Sequence, residues 1–230
     1  MSPSDTDIIL ACPHCAAAAR LFELNSGNTF GAITWTDGWM DAPMLPRPPR
    51  ITRCPGCRRI FWVGLAQQIG FALAGESPEA AASPWVEAPY LEPLDEAACF
   101  EALRDGLGEK GDLELELRVF TWWRGNDAFR EPQHPPGHPS SPDAIANIER
   151  MIEMTAEGDE DLLLFRAEAQ RHLGRFDEAR ATLNGVGCSD FWPAKSRQLQ
   201  LLEAGERNIA ILFEPSSEEH NDDTSEASPR

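Results

Sequence analysis

The sequence predicts an α+β protein, with a small β-rich head followed by an all-α body of helical hairpins, and three observations carry that prediction. Two CPxC pairs, Cys12-Pro13-His14-Cys15 and Cys54-Pro55-Gly56-Cys57, bracket 38 residues that contain strand-like runs. After Pro93 the apolar residues recur at helical spacing, with capping residues and glycine terminators at the ends of the runs. The charge divides as well: residues 1–65 carry six arginines against five acids, whereas 14 of the 20 basic and 33 of the 38 acidic residues lie beyond them, a balance of −19. The expected organisation is a head over 1–66, a linker over 67–90 rich in alanine, proline, glycine and serine, a helical body over 91–212, and a disordered acidic tail over 213–230.

Cys12, Cys15, Cys54 and Cys57 are the candidate metal ligands. Two residues between paired cysteines let a tight turn aim both thiolates at one ion about 2.3 Å away, and a second such turn completes the tetrahedron that zinc accepts. The opening MSPSDTDIIL lacks a positive n-region and a long apolar run, so disulfide chemistry is not expected and a cytoplasmic, membrane-free protein is. A four-thiolate site has no open position for water or substrate, so one structural Zn2+ is the expected cofactor. His14 reads as a solvent-facing spacer inside the first turn. Cys99 lies on the apolar face of a helix and reads as a small buried hydrophobe; Cys188 has no activating neighbour and no assigned role.

The β-rich segments follow the cysteines. Arg20 to Leu24, Thr29 to Thr36 and Ile60 to Leu65 have strand character, and Asp37-Gly38 between Trp35 and Trp39 supplies a two-residue hairpin turn. Together with the two CPxC turns they resemble a zinc ribbon, over roughly residues 8 to 65. The resemblance implies two metal knuckles that each lead into a strand and face one another across the ion. Ala16 and Arg58 stand after the paired cysteines where the commoner ribbon and rubredoxin pattern has glycine. The proline-rich stretch Met44 to Arg50 reads as extended chain, and Arg47, Arg50, Arg53, Arg58 and Arg59 gather near Trp35, Trp39, Phe61 and Trp62. Such interleaving could serve phosphate contact and base stacking, but a solvated face, pairing with the chain's own acids or protein contact is the favoured expectation.

The body opens at Asp95, with Phe100, Leu103 and Leu107 on one face and Gly106 and Gly108 closing the run. Leu113 to Val119 fits a strand or a helix, and the Glu114–Arg118 spacing of four favours helix. Glu114 and Glu116 read as solvent-facing charge. Trp122, Trp123, Arg124, Asn126 and Asp127 form an unusual cluster, expected as core packing followed by a polar turn and able to line a pocket. His134 and His138 are separated by Pro135-Pro136-Gly137, so no shared helical face can make them a metal pair. Ser141-Pro142 caps a helix carrying Ile145, Ile148 and Ile152. Asp159, Glu160 and Asp161 open the next, and Arg171, His172 and Gly174 close it, with His172 read as a capping charge at the negative helix end.

Residues 160 to 186 resemble one tetratricopeptide repeat: Ala167 is the small packing residue, Gly174 the turn, Phe176 the aromatic, and Ala179 with Leu183 lines the second helix. Leu163 and Gln170 stand where the family has large aromatic residues. Phe191 to Phe213 reads as a degraded second repeat with Leu199, Leu202, Ile209 and Leu212 apolar. The resemblance implies stacked helix pairs that dock another protein.

No nucleophile with a base, phosphate-cradling glycine motif or open metal site is visible, so no enzyme is expected. The leading expectation is a zinc-binding protein–protein interaction adaptor. The alternatives are a nucleic-acid-associated factor using Arg47, Arg50, Arg53, Arg58 and Arg59, and a rubredoxin-like iron electron carrier. The whole arrangement resembles that of bacterial proteins with a cysteine-rich head and a helical tail, a likeness that implies no activity.

Overall fold

The computed structural model of the chain describes residues 2–3, 6–73, 82–109, 113–131, 133–135 and 137–215. The fold class is α+β. Strands among these residues are β1 Ser2–Pro3, β2 Thr6–Ala11, β3 Ala18–Leu21, β4 Leu24–Ser26, β5 Ile33–Trp35, β6 Met40–Asp41, β7 Ile51–Arg53, β8 Ile60–Trp62, β9 Gln67–Leu73 and β10 Ile211–Phe213. Among the described residues six helices follow the head, α1 Glu96–Arg104, α2 Leu113–Arg130, α3 Pro142–Met154, α4 Glu160–His172, α5 Phe176–Asn184 and α6 Trp192–Glu203. No helix among the described residues is long and apolar enough to cross a membrane.

The strands form small antiparallel sheets, ordered β3-β2-β9, β10-β5-β6, β7-β8 and β1-β4. β9 lies where a linker was expected. Its alternating residues pair with β2 from Thr6↔Leu73 to Ala11↔Gln67, and Gly70 within it lets the Trp85 ring approach to 2.3 Å from where a Cβ would stand. The Ala-, Pro- and Ser-rich composition of 74–90 obscured this strand, and residues 74–81 of the expected linker lie outside the described residues. The head hairpin turns as expected around Asp37-Gly38, but with a three-residue loop. Trp35 bonds through both backbone groups to Gly38 and Trp39, and Gly38 takes a φ of 80°, the left-handed position such a loop gives to glycine.

Helix ends obey local chemistry. Asp95, Ser141 and Asp159 accept N–H bonds from Ala98, Ala144 and Leu162 at 2.8, 3.1 and 3.4 Å. α1, α4 and α6 each stop at a left-handed glycine (Gly106, Gly174, Gly205), with the next residue's N–H reaching back to Ala102, Gln170 and Leu201. The stop at Gly205 corrects the expected second repeat: no helix carries Ile209 and Leu212, because the chain instead crosses back and lays β10 beside β5. Of the expected disordered tail, Phe213 therefore belongs to a strand, and residues 216–230 lie outside the described residues.

The body's cores are apolar faces meeting. Trp122, Ile148, Met151, Ile152 and Ala169 join α2, α3 and α4; Ala167, Ala179, Leu183 and Leu202 join α4, α5 and α6. Head and body share a third core, in which Ile51, Ile60 and Trp62 of β7 and β8 pack on Cys99, Ala102 and Leu117. Fully burying each such large side chain contributes about 1.5–3 kcal/mol, so β7–β8 is anchored to the helices independently of any ion.

Candidate metal centre

Each CPxC turn is built the same way. The N–H of Cys12 donates to Ala17 O at 2.9 Å and Ala16 N–H returns to Cys12 O at 2.9 Å; Cys54 and Arg59 at 2.9 Å, and Arg58 and Cys54 at 3.0 Å, repeat the pattern. The residue after each pair is left-handed, Ala16 at φ 58° and Arg58 at φ 65°. The backbone thus keeps the knuckle conformation without glycine, at about 1–2 kcal/mol each for the misplaced Cβ. Proline at the second position and β2 and β7 leading in fix the rest of each turn.

The two turns bring Cys12, Cys15, Cys54 and Cys57 together, with all four sulfurs within 4.8 Å of one another. Sγ of Cys12 lies 3.8 Å from that of Cys57, and Cys15 lies 3.6 Å from Cys54. A tetrahedron of metal–sulfur bonds of about 2.3 Å has edges of about 3.8 Å, so the set fits a single four-coordinate cation. Backbone N–H groups already face the sulfurs: His14 N donates to Cys12 Sγ and Cys57 N to Cys54 Sγ, both at 3.4 Å. Gly56 is held close, since a Cβ there would stand 3.0 Å from Ala17 and 3.6 Å from Cys15 Sγ. Beneath the sulfurs lie Leu10, Ala19, Phe61, Val63 and Leu91.

Burial sets the thiols apart from ordinary cysteine. It pushes Cys12 up to about 12 despite the N–H groups of His14 and Cys15. Burial also opposes the Cys54 thiolate, but the N–H groups of Cys57 and Gly56 and sharing with the Cys12 and Cys15 thiols outweigh it, bringing Cys54 down to about 7. One sulfur is therefore ready to ionise near neutral pH, and loss of the other thiol protons accompanies cation binding.

The remaining expected residues scatter. His14 is exposed, as a spacer should be, and Cys99 is buried with its thiol pushed up by burial to about 12. Exposed Cys188 offers its backbone N–H to Glu160 at 2.6 Å. Of the arginines, Arg53 forms two bonds to Glu101 at 2.9 and 2.6 Å, Arg50 pairs with Glu116 at 2.8 Å, and Arg47 stacks on Trp39; among the described residues Arg58 and Arg59 have no carboxylate partner. Glu116 is thus a partner for the head, and Glu114 is shared between Arg118 and Arg150, where solvent-facing charge was expected.

The largest departure from expectation is a buried polar seam where the β5–β6 loop enters the body. Trp122 to Asp127 lie inside α2, with no turn. Gly125 packs beside Glu96 and Pro139, with Glu96 Oε1 2.6 Å and Pro139 Cγ 3.1 Å from where a Cβ would stand. Asp37, fully buried, accepts from Asn126 at 2.8 Å, from Trp39 N at 3.1 Å and from Arg130, and its carbonyl accepts from Trp123 Nε1 at 2.9 Å. Deeper in, Glu168 and Arg171 pair with each other, and Arg171 also donates to the carbonyls of Glu206 and Asn208 at 2.6 and 2.9 Å.

His172 corrects the capping reading. It is buried and neutral, accepting from Trp122 Nε1 through Nδ1 at 2.9 Å, and burial first, then Arg171 and His138, hold its pKa well below 6.5. His138 reaches Asn208 at 3.2 Å, its ring centre 6.3 Å from that of His172. Nothing local in sequence marks these partners; the only available signal was a run of polar residues inside otherwise apolar helical periodicity.

Compared with known proteins, the chain matches no protein family, no curated protein and no solved structure.

Proposed function

We propose that the chain is a non-catalytic, zinc-stabilised interaction adaptor, in which Cys12, Cys15, Cys54 and Cys57 hold one structural Zn2+ and the helical hairpins dock another protein. The observation that carries this reading is the convergence of four sulfurs at tetrahedral spacing. Four thiolates saturate the ion, so the site shapes the head and leaves no position for a substrate. The head resembles a zinc ribbon, and α4 with α5 resembles a tetratricopeptide hairpin: Ala167 and Ala179 are buried in one core cluster and Gly174 makes the turn at φ 76°. Both are module types that serve recognition, a warrant by analogy of fold.

Trp192 at the start of α6 is 64% exposed, a large aromatic of the kind that anchors interfaces. Affinity capture from a native cytoplasmic lysate with the full chain and with Trp192→Glu tests the reading. A partner held by the first and lost by the second is expected; repeated capture of none counts against it. Nucleic-acid contact is the weaker reading, because Arg50 and Arg53 are already paired with acids of the helices. Salt-independent or absent binding to DNA and RNA is the expected result. A colourless zinc protein is also expected, and a coloured preparation that bleaches on reduction would turn the reading to iron-based electron transfer.

A further inference from the structure

The two edges of the sheet β3-β2-β9 differ in what lies beside them. Along β3, the N–H of Arg20 donates to Pro89 O at 2.8 Å and the Arg20 carbonyl accepts from Leu91 N at 2.8 Å, so residues 89–91 cover that edge. Along β9, among the described residues, no backbone group of Gln67 to Leu73 bonds to backbone outside the β2 ladder. An open edge is a template for another strand, and proteins ordinarily block it with charge, proline or a bulge. Gln67-Gln68-Ile69-Gly70-Phe71-Ala72-Leu73 carries neither charge nor proline. Its ladder shifts by one residue at Ile69, opposite Ile9 and Leu10, and is regular from Gly70 to Leu73.

The side chains along this edge are apolar and uncovered. Phe71 is 57% exposed, and Ile69 and Leu73 are 39% exposed each. The open face continues inward, because Phe71 stands opposite Ile8 and Ile8 opposite Leu21, both half-buried. On the other face Ala72 is buried and the Trp85 ring lies against Gly70. Charge then selects the partner. Residues 1–73 hold six arginines against five acids, while the remaining 14 basic and 33 acidic residues give the rest of the chain −19. Two copies that meet at β9 bring nearly neutral surfaces together, whereas a basic partner would be drawn to the acidic body instead.

We propose that β9 is a homodimerisation edge, pairing antiparallel with β9 of a second copy about a two-fold axis at Phe71. In that register Phe71 faces Phe71 of the second copy, and Ile69 of each copy faces Leu73 of the other. All three exposed apolar side chains thereby meet apolar ones, on one continuous sheet of six strands. A two-fold at Gly70 would instead set Leu73 against Gln67. Backbone bonds supply the affinity and the side-chain pairs the register. Residues 89–91 already occupy the outer edge at β3, so a closed pair leaves no edge for further growth. A contact of this kind lies at the low end of specific interfaces, below about 1,200 Å² in total, so a micromolar dissociation constant is expected. The surface belongs to the head and not to the helices that the adaptor reading assigns to docking, so it stands whether or not that reading does.

Sedimentation equilibrium of the full chain over about 1–200 μM tests the proposal, because that range spans a micromolar dissociation constant. A monomer–dimer equilibrium is expected, and added salt should not weaken it, since no ion pair holds the edge and screening lessens repulsion between the bodies. Phe71→Lys and Phe71→Glu each set like charges against one another at the axis, and each is expected to weaken the dimer about tenfold or more. Mixing the two variants is expected to restore association as a heterodimer. Trp192→Glu, on α6, should leave the dimer unchanged. Amide protection in β9 should rise with protein concentration.

A chain that stays monomeric throughout the range overturns the proposal, and so does a dimer indifferent to both Phe71 variants. Charge variants that weaken the dimer but fail to associate with each other overturn the Phe71-centred pairing. Dissociation by Trp192→Glu places the contact on the helices, and growth beyond two copies contradicts a closed edge. Phe71 is exposed, so its variants are expected to fold; if a charged one does not, Phe71→Gln removes the apolar pair without adding charge and should also weaken the dimer.

Discussion

The cysteine turns and the seam around Asp37 both bury groups that water would otherwise solvate, yet their partners are distributed very differently along the chain. Within each turn the two sulfurs are three positions apart and the stabilising backbone bonds span four or five residues, so the geometry is written in a short motif. In the seam, Asp37 meets Asn126 across 89 positions and Thr36 meets Arg171 across 135. A metal site can be recognised before it folds, because its ligands must come in a pattern that a cation accepts. A buried salt bridge carries no such pattern, because each member is an ordinary polar residue until the partner arrives. On the proposed reading the two regions also depend on different things, one on an ion and the other on side chains that satisfy one another.

Removing the cation should separate them most strongly. Structural zinc contributes on the order of 10 kcal/mol in small modules, so chelation, or Cys54→Ser, is expected to abolish amide protection in β2, β3 and the turns. α3 to α6 should stay protected, since their cores contain no ligand. Hydrogen exchange with and without chelator reads this out, and simultaneous loss of both regions would show that they fold as one unit.

Asp37→Ala is the converse break. It leaves Arg130 and Asn126 buried without their carboxylate, at a cost of about 3–5 kcal/mol, while metal content per folded chain should not change. Denaturant unfolding with metal analysis of the same sample checks both halves. A loss of metal would mean that the seam supports the knuckles directly.

His172 sharpens the comparison through pH. Its folded pKa is depressed, so the unfolded chain takes up a proton that the folded chain refuses. Its contribution is therefore complete above 6.5 and is lost as pH falls from there toward the depressed folded value, by up to about 1.4 kcal/mol per pH unit. His172→Gln retains an acceptor for Trp122 and should flatten the stability curve below pH 6.5. The difference between the two curves isolates this residue, because protonation of the cysteine thiolates is common to both. Parallel curves would place the charge change elsewhere.

The smallest effect lies in the second turn. Arg58→Gly relieves a left-handed side-chain residue and should stabilise the chain by about 1 kcal/mol, with Ala16→Gly acting likewise. Thermal unfolding of the metal-bound protein measures it, and destabilisation would mean that the Arg58 side chain contributes more than its strained backbone costs.

This contrast also explains what could be read in advance. The α+β class, the helix caps at Asp95, Ser141 and Asp159, the turn at Gly174 and the gathering of four cysteines rest on local rules or on one cation's geometry. Strand β9 was hidden because its alternation, with Ile69, Phe71 and Leu73 on the exposed side, sits beside linker-like composition. β10 was hidden because a strand of three residues has no signal apart from its partner β5. Arg171 and His172 occupy the last turn of α4, where basic residues ordinarily serve the helix dipole, and only the fold reveals that they point into the protein.

The central claim is that four sulfurs converge on one cation, and metal analysis combined with thiol counting on natively purified, chelator-free protein tests it most directly. One zinc ion per chain is expected, with Cys188 alone reacting quickly and Cys12, Cys15, Cys54 and Cys57 becoming reactive together once a chelator is added, while Cys99 stays protected. Zinc and iron both well below one per chain, with Cys15 and Cys57 reacting freely from the start, would contradict it.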